Sequence, residues 1–343
     1  MRIAVVCPYG LDRPGGVQNQ AVELARRLTS TGHQAWVVAP GREGPEKAIL
    51  VGGTVGIPFN RSVAPISLDP RAARRVLREA AQADVVHIHE PLVPVVSLAA
   101  LAGRSPPKVA TFHAPLGRAA WLAYRAAGSL AGRVAVATAV SEVAAQAPRS
   151  WGLEPRLVPN GVDTKSFALE ERRHPRRVVF LGRDEPRKGL DVLLQAWGQV
   201  RGRLADAELR VLGARRAGPP PEGVRYLGRV GEDAKRRELA RAAVLAAPNL
   251  GAESFGLILV EAMAAGCGVV ASALPGFREV VGRAGLLVPP GDPATLATTL
   301  ARLLGDSSEV QDLGARARLR ARHFDWDVVV PGYLEAYREA AQA

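Results

Sequence analysis

Residues 244–271 read VLAAPNLGAESFGLILVEAMAAGCGVVA, and this stretch indicates the fold of the whole chain. The apolar residues Val244–Ala247 and Val269–Ala271 are typical of buried strands, and the apolar run between them has the length of a helix. Two strands joined through a helix lie parallel in one sheet, and helices cover both faces of such a sheet. The stretch therefore predicts an α/β fold.

The same alternation of strands and helices extends along the chain in two series. The first series predicts strands at Ile3–Cys7, Ala35–Ala39, Val85–His89, Val109–His113, Val134–Val140 and Arg156–Pro159, with helices at Gln18–Leu28, Arg71–Ala81 and Val93–Leu101. The second predicts strands at Arg177–Leu181, Leu209–Leu212, Val224–Leu227, Val244–Ala247, Val269–Ala271 and Leu286–Val288, with helices at Leu190–Val200, Ala234–Ala243, Leu257–Ala265, Ala294–Leu304, Val310–Arg322 and Val328–Ala341. We therefore predict two doubly wound Rossmann-like halves, joined by a linker within the charged segment Lys165–Pro175. Ligands of such sheets bind outside the carboxyl ends of the strands, so we expect the halves to face each other across a cleft.

Length and composition narrow the classes of protein. The chain has 343 residues, more than one ordinary core holds, and a formal net charge of +12. An anionic partner, such as nucleotide phosphates, anionic lipid or nucleic acid, explains this charge, and so does an arginine-rich GC-biased genome. Aromatic residues make up only 5% and do not alternate with basic ones, so nucleic-acid binding is not expected. Cys7 and Cys267 are predicted to be buried free thiols, and without an export signal or a membrane-length apolar run we expect a cytoplasmic protein.

Two strand-to-helix loops have residues that suit phosphate groups. Gly15 and Gly16 open the first helix, where glycine lets backbone N–H groups approach an anion that the helix dipole also attracts. The dinucleotide pattern GxGxxG is missing, which argues against a nicotinamide dehydrogenase. In the second half, Arg183 and Lys188 lie on the loop after the first strand, and two cations there suit a diphosphate. A plain tight turn and a solvated basic loop are the alternatives.

Two acids flank an otherwise apolar helix in the opening stretch. Ser254 is a good N-cap residue, which places Glu253 just outside the helix and Glu261 about two turns inside it. At 1.5 Å per residue the two acids are separated by roughly 10–12 Å along the axis, so they suit opposite ends of an elongated polar ligand. That separation does not give the closely spaced carboxyl pair of a retaining glycosidase. The alternative is one acid that interacts with the helix dipole and one ordinary surface acid.

Three histidines end two neighbouring strands of the first half. His113 follows one strand, at the edge where ligands bind, and His87 and His89 end the preceding one. Alternation places His87 and His89 on the same face of the sheet, where structural hydrogen bonding is the favoured interpretation. A metal site that combines them with Glu90 is the alternative.

A cationic stripe and an acidic pair complete the candidate features. The stripe consists of Arg71, Arg74, Arg75 and Arg78 at helical spacing, and suits either an anionic lipid surface or a solvated helix face. The acidic pair Asp325 and Asp327 forms the DxD pattern that metal-dependent sugar transferases use. Because it opens the final helix, we interpret it as a helix cap.

Taken together, these motifs resemble the retaining GT-B glycosyltransferases of family 4 along essentially the whole chain. Glu253–Glu261 matches the E-x7-E motif of that family, Gly182–Gly189 matches G-R-x4-K-G, and Val158–Asp163 reads VPNGVD. Four further stretches resemble the phosphatidylinositol mannosyltransferases of the family: CPYGLDRPGGVQ, IPFNRSVA, VHIHEP with ATFH, and DEPRKG. The resemblance implies an N-terminal acceptor domain (1–168), a donor domain (169–324) and a C-terminal helix (325–343) that crosses back onto the first domain.

The resemblance also implies roles for single residues. Gly16, with Gly15, would bind the donor diphosphate through backbone N–H groups, and Arg183 and Lys188 would supply positive charge. Glu261 would bind the nucleotide ribose. The sugar hydroxyls would be held by Glu253, Ser254, Phe255 and Gly256, and His113 would contact the sugar at the reacting centre. The acceptor pocket would be lined by Tyr9, Gln18 and Asn60, and the arginine stripe would rest on the membrane.

The activity implied is the transfer of mannose from GDP-mannose to a lipid-linked or inositol-type acceptor such as phosphatidylinositol. No metal or other cofactor is expected, and we expect a monomer, peripheral on the inner face of the cell membrane. Three departures bear on this expectation: one residue fewer separates the two cations than in the closest subgroup, Ala114-Pro115 follows His113 where hydroxyl residues are usual, and Gly231 replaces an acid that favours guanine. The alternatives are a UDP-sugar transferase with a soluble acceptor, a UDP-sugar 2-epimerase, and a non-catalytic nucleotide- or nucleic-acid-binding protein.

Overall fold

The computed structural model describes residues 1–13, 15–59, 62–104, 106–114, 122, 127–251 and 253–343, without the side chains of 58, 59 and 62. The chain divides into two compact units. The first comprises Met1–Gly161 together with Trp326–Ala343, and the second comprises Val162–Asp325.

The first unit is built on a parallel sheet. Its strands are β1 (Arg2–Val6), β2 (Gln34–Ala39), β3 (Ala48–Leu50), β4 (Val55–Phe59), β5 (Ser62–Ile66), β6 (Val85–His89), β7 (Lys108–Phe112), β8 (Val136–Ala139) and β9 (Arg156–Leu157). Its helices before the second unit are α1 (Gly16–Ser30), α2 (Pro70–Ala80), α3 (Val96–Ala102) and α4 (Glu142–Arg149), with a 3-10 helix at Gly128–Arg133. The sheet order is β3-β2-β1-β6-β7-β8-β9, and β4 and β5 form a separate antiparallel hairpin.

The second unit repeats the plan. Its strands are β10 (His174–Leu181), β11 (Glu208–Leu212), β12 (Val224–Gly228), β13 (Ala242–Ala247), β14 (Gly268–Ser272) and β15 (Leu286–Val288), in the order β12-β11-β10-β13-β14-β15. Its helices are α5 (Thr164–Phe167), α6 (Leu190–Arg203), α7 (Glu232–Arg241), α8 (Leu257–Ala264), α9 (Pro275–Val281), α10 (Pro293–Gly305) and α11 (Ser307–Ala321), with 3-10 helices at Pro186–Lys188 and Arg322–Phe324. All pairings are parallel, so the α/β prediction from the opening stretch is confirmed.

The final helix, α12 (Trp326–Gln342), belongs to the first unit. It buries Trp326, Tyr333 and Tyr337 in one core cluster with alternate residues of β1 such as Ile3 and Val5. The other face of the same sheet is covered by α2 and α3, and the two clusters follow the strict alternation of buried strands. The first unit is therefore completed by the end of the chain.

The predicted linker Lys165–Pro175 is wrong. The units divide at Gly161, upstream of it, and strand β10 already begins at His174. The Arg173 guanidinium donates hydrogen bonds to the carbonyls of Ala242 and Ala265, and Glu171 pairs with Arg241 at 3.0 Å. The charges that suggested a solvated linker instead bind the segment to the second unit.

Several short elements were not predicted from the sequence. These are β3, the β4–β5 hairpin, α4, α5 and α9. Each is short, and the hairpin contains Pro58 and Pro65, which argue against strands unless these lie at an edge. Among the described residues, no helix has both the length and the apolar composition needed to cross a bilayer.

Candidate functional site

A buried carboxylate organises the carboxyl ends of β6 and β7 in the first unit. Glu90 follows β6 in the left-handed conformation, with φ of 49°, which is strained for a residue with a side chain. Its Oε1 accepts hydrogen bonds from the backbone N–H groups of His113 (2.8 Å) and Ala114 (2.9 Å). Glu90 therefore fixes the path of the chain where it leaves β7, and with it the position of His113.

The three histidines form a hydrogen-bonded row under that edge. The His87 ring stacks on the His89 ring at 4.5 Å between centroids, which confirms that they share one face of the sheet. His87 interacts through Nδ1 with the Tyr337 hydroxyl (2.7 Å) and through Nε2 with the Thr111 hydroxyl (2.6 Å). His89 Nδ1 lies 2.7 Å from His113 Nε2, so one of these nitrogens donates to the other. The prediction of structural hydrogen bonding is confirmed, and no three possible metal ligands cluster in the part of the chain that the structure describes.

Burial sets the charge of this row. Desolvation lowers the pKa of His87 to about 3 and that of His113 to about 4, and it lowers the pKa of His89 well below its usual value. Desolvation also raises the pKa of Glu90 to about 7, although its two backbone hydrogen bonds act in the opposite direction. At neutral pH the histidines are therefore uncharged, and His113 presents a neutral ring.

The loop after β1 leads to the first turn of α1. Gly15 is the N-cap residue and Gly16, the first residue of the helix, is exposed, so its N–H belongs to the unpaired first turn. A Cβ on Gly15 would lie 2.4 Å from the Gln18 side-chain oxygen, so a larger residue there would displace the Gln18 amide. The buried Gln18 amide donates to the carbonyls of Gly10 (3.3 Å) and Arg13 (3.1 Å), which holds the loop. Half-buried Tyr9 forms a bridge with Ile66, and Asn60 lies outside the described residues.

In the second unit, one carboxylate joins the loop after β10 to the segment before α8. Glu253 Oε1 accepts from Lys188 Nζ at 2.6 Å, Arg187 Nη1 at 2.8 Å and Asn249 Nδ2 at 2.9 Å. Gly189, with φ of 72°, brings the backbone so close that a Cβ would lie 1.9 Å from the Pro248 carbonyl oxygen. The glycine after Lys188 thus permits the approach that lets Lys188 reach Glu253.

The two predicted cations have different surroundings. Lys188 is largely buried, whereas the Arg183 side chain is 63% exposed and pairs with Glu185 at 2.9 Å. Arg187, which the sequence analysis did not single out, is the second buried cation beside Glu253 and also pairs with Glu185 at 2.9 Å. A charged residue one position from Lys188 gives no signal in the sequence, because it could equally be solvated.

The prediction that Ser254 caps the helix is wrong. Helix α8 begins at Leu257, and its N-cap is Gly256 in the left-handed region, with φ of 98°. Phe255 is buried with its ring edge-on to Phe324 at 5.5 Å, and a Cβ on Gly256 would lie 2.6 Å from Phe277. These aromatic rings pack beside the predicted cap, and the N-cap lies two residues later, at Gly256, with Glu253 outside the helix.

Glu261 is paired within the unit. Its Oε1 accepts from Lys235 Nζ at 2.8 Å, and Lys235 also contacts Glu232 at 2.8 Å. Burial raises the pKa of Glu261, and the Lys235 ammonium opposes that rise. Glu261 is thus not an ordinary surface acid.

The acidic pair Asp325 and Asp327 does not act as a unit. Asp325 immediately precedes α12 and accepts hydrogen bonds from the Thr164 backbone N–H and hydroxyl, whereas Asp327 lies 3.7 Å from Arg27. The two carboxylates therefore have separate cationic or hydroxyl partners, as structural residues do.

The arginine stripe lies on one exposed side of α2. Arg71, Arg74, Arg75 and Arg78 are all exposed, while Val76 on the opposite side is fully buried. Asp69 caps the helix by accepting from the Arg71 N–H at 2.8 Å. Large apolar side chains are also exposed on α2 and on the segments before it, namely Val55, Ile57, Val63, Leu68 and Leu77.

Comparison with known proteins places this arrangement in a family. Residues 14–166 match the model of Glycosyltransferase Family 4, and residues 175–306 match that of Glycosyl transferases group 1. A phosphatidyl-myo-inositol mannosyltransferase from Mycolicibacterium smegmatis is 38% identical, over 100% of this chain and 95% of the relative. The chain belongs to glycosyltransferase family 4.

Other similarities agree with this membership. A D-inositol 3-phosphate glycosyltransferase from Catenulispora acidiphila is 30% identical, over 96% of this chain and 91% of the relative. A crystal structure of Anabaena HepE in complex with UDP and glucose superposes with a TM-score of 0.79, at 19% identity, over 98% of this chain and 99% of that one. The predicted GT-B class of two parallel-sheet α/β domains, and the predicted glycosyltransferase, are confirmed. The E-x7-E motif of this family 4 chain is the segment Glu253–Glu261, whose two carboxylates are each held by a lysine.

The buried histidines make the stability of this glycosyltransferase depend on pH. Their folded pKa values lie below that of a free histidine, so the stabilisation they contribute is complete above about pH 6.5 and is lost as the pH falls. Glu90 acts with the opposite sign: its raised pKa means that stability is lost as the pH rises towards 7. Because three groups oppose one, we expect the urea midpoint of unfolding to fall between pH 7 and pH 5.

Glu90→Gln should make this fall steeper, because it removes the opposing titration and keeps an oxygen for the His113 and Ala114 N–H groups. His323→Gln, at an exposed histidine, is the matched control and should leave the profile unchanged. A urea midpoint that stays constant from pH 7 to pH 5 would contradict the conclusion that His87, His89 and His113 are buried in the uncharged form.

Proposed function

We propose that this family 4 enzyme transfers mannose from GDP-mannose to phosphatidylinositol with retention of anomeric configuration. The observation that carries the proposal is the full-length 38% identity to a protein named phosphatidyl-myo-inositol mannosyltransferase. The geometry of the second unit supports the donor half of this proposal, and the neutral His113 ring after β7 in the first unit suits the reacting sugar.

The donor diphosphate is assigned to the cations after β10. Lys188 uses one of three N–H donors on Glu253, and Arg187 keeps N–H groups beyond those on Glu185 and Glu253, so both retain donors for phosphate oxygens. Exposed Arg183 adds a third cation. Backbone N–H groups of Gly15 and Gly16 at the start of α1 are assigned to the same diphosphate. Positive charge at this position stabilises the departing nucleoside diphosphate, the main requirement of the reaction.

The two glutamates are assigned to the two ends of the donor. Glu261, held by Lys235, would accept from the ribose hydroxyls. Glu253, with the backbone of Ser254, Phe255 and Gly256, would bind the sugar hydroxyls, because this non-helical segment leaves its polar backbone groups outside α8. Both carboxylates are already oriented by cations, so little reorganisation accompanies binding.

His113 is assigned to the reacting centre. Its neutral ring, fixed by Glu90 and His89, suits hydrogen bonding to a sugar hydroxyl and adds no positive charge beside an oxocarbenium-like transition state. Retention would proceed by attack of the acceptor hydroxyl on the face that the diphosphate leaves. We propose that no metal takes part, since cations and helix N–H groups supply the charge. Tyr9, Gln18 and Asn60 are assigned to the acceptor.

Other members of the class remain distinct hypotheses. The similarity to a D-inositol 3-phosphate glycosyltransferase favours a soluble inositol acceptor, and the UDP complex of HepE illustrates the other donor base. A 2-epimerase would convert a UDP-sugar with no acceptor present, and a non-catalytic protein would bind nucleotide or nucleic acid without turnover.

Radiolabel transfer tests the proposed reaction. We expect label from GDP-mannose to enter phosphatidylinositol faster than label from UDP-glucose or UDP-N-acetylglucosamine. Equal transfer to inositol phosphate would favour the soluble acceptor. Label released as a new sugar nucleotide without acceptor would indicate epimerisation.

Substitution of the cation cluster tests the residue roles. Lys188→Ala and Glu253→Ala should each lower kcat/KM for transfer by about 100-fold or more, because a charge contact to the leaving group or its anchor is lost. Glu222→Ala, at an exposed glutamate of the same unit, is the control. The wild-type rate should be the same in EDTA. Near-normal turnover of both variants would remove these roles, and a loss in EDTA that Mn²⁺ restores would contradict the metal-free proposal.

We also propose that the α2 stripe rests on the anionic inner face of the cell membrane, with the enzyme as a peripheral monomer that does not bind nucleic acid. Each arginine near an anionic surface contributes about 1 kcal/mol. Arg74→Gln, Arg75→Gln and Arg78→Gln together should therefore weaken cosedimentation with phosphatidylinositol vesicles by about 100-fold.

The exposed residues Arg237, Arg283 and Arg322, changed together to Gln, form a control with the same loss of charge elsewhere on the chain. Equal loss of vesicle binding in both triple variants would show a nonspecific charge effect and remove the assignment to α2.

A further inference from the structure

The second unit has a cavity of about 360 Å³ between α7 and the sheet that is remote from the donor residues. Five arginines line it, accompanied by His174 and by two glutamates, Glu171 and Glu238. The strand residues that line it include His174 at the amino end of β10 and Arg225 near the amino end of β12. By contrast, Lys188 and Glu253 follow the carboxyl ends of their strands. Ligands of this fold class bind at carboxyl ends, so the fold itself does not account for this cavity.

Strand register explains how the charges converge. Val178, Phe180 and Leu209 point into the apolar core, so the intervening residues of β10, β11 and β12 occupy the opposite face. On that face Arg210 is in direct register with Arg225, and Arg177 is in register with Glu208. Like charges side by side on one sheet face destabilise it unless a counter-charge lies between them.

The protein supplies too few counter-charges. Glu208 serves both Arg177 and Arg210, at 3.0 Å in each case, and Glu171 is taken by Arg241. Arg225 has no ion-pair partner among the described residues, and Arg210 Nε is buried without a hydrogen-bond partner there. Glu238 Oε2 is likewise buried without a partner, so the wall of the cavity holds one unpaired acceptor as well as an unpaired donor.

We propose that this cavity binds a small sugar or polyol that carries two phosphate groups. Arginine guanidinium groups match phosphate oxygens in pairs, and Arg210 beside Arg225 offers such a pair for one phosphate, with Arg177 and His174 nearby for the other. Glu238 Oε2 accepts from a hydroxyl of the ligand, which an inorganic phosphate chain does not provide. The volume suits a molecule of this size.

Calorimetry with fructose 1,6-bisphosphate as the probe tests the site, with saturating GDP present to occupy the donor residues. We expect wild-type protein to bind the probe, and Arg210→Gln/Arg225→Gln to bind it at least about tenfold more weakly, because two charged contacts are lost. Arg283→Gln/Arg322→Gln, with the same change of charge at exposed positions, should bind as wild type does. No binding to wild type, or equal binding to both double variants, would overturn the proposal.

Two further binding measurements identify the chemical class of the ligand. Inorganic pyrophosphate should bind more weakly than the bisphosphate, and equal affinity would overturn the assignment of a polyol. Vesicles that contain phosphatidylinositol 4,5-bisphosphate should sediment equally with wild type and Arg210→Gln/Arg225→Gln, whereas a selective loss in that variant would overturn the soluble source and assign the chemistry to a lipid headgroup.

Thermal unfolding in phosphate-free buffer separates binding from misfolding. The probe should raise the melting temperature of wild type more than that of Arg210→Gln/Arg225→Gln at the same concentration. Without the probe, the variant should be at least as stable as wild type, because the register of like charges is removed. If the variant is markedly less stable than wild type without the probe, the two arginines do not repel each other without compensation in the free protein, and this part of the proposal is contradicted.

Discussion

The arrangement of charged side chains in the second unit depends on the hydrogen bonds that one buried carboxylate, Glu253, accepts. A largely buried charge is unfavourable unless it is paired and hydrogen-bonded, and Glu253 meets that requirement through Lys188, Arg187 and Asn249. The same contacts keep two like-charged side chains close together, which would otherwise repel each other. Glu253 thus holds the two cations Lys188 and Arg187 together after the carboxyl end of β10. This arrangement requires two glycines. Gly189 allows the close approach of the backbone to Pro248, and Gly256 allows the helix to start only at Leu257.

The first unit uses a second carboxylate in an analogous way. Glu90 binds backbone N–H groups rather than cations, so it fixes a chain path and adds no counter-charge of its own to the histidine row. Its left-handed backbone is unfavourable by about 1 kcal/mol or more, and it persists because the hydrogen bonds to His113 and Ala114 determine the conformation. Burial then keeps the His87, His89 and His113 rings neutral. The second unit thus brings cations together around Glu253, whereas the first unit keeps its row of histidines uncharged.

Much of this could be predicted from the sequence, and the failures have local physical causes. Long apolar strands and amphipathic helices were predicted, because periodicity reports burial directly. The prediction of a cap at Ser254 is wrong because the packing of aromatic rings around Phe255 outweighs the preference of serine for an N-cap position. The prediction of a linker is wrong because Arg173 and Glu171 bind residues that lie 69 to 92 positions away in the sequence. Arg187 was missed for the same reason: its partner Glu253 is 66 residues distant.

The charge of the chain shows where composition stops being informative. A net charge of +12 fits a biased genome as well as an anionic partner, since either would add arginine. A compositional bias would scatter arginines over exposed positions, where solvent screens them and their register does not matter. The four arginines of the α2 stripe are exposed, so their charge alone does not separate the two explanations, but they lie beside the exposed apolar side chain of Leu77. Arg210 is largely buried and lies in register with Arg225, and there the repulsion between like charges is less screened by solvent. The placement of the charge, rather than its sum, therefore supports the proposed anionic ligands.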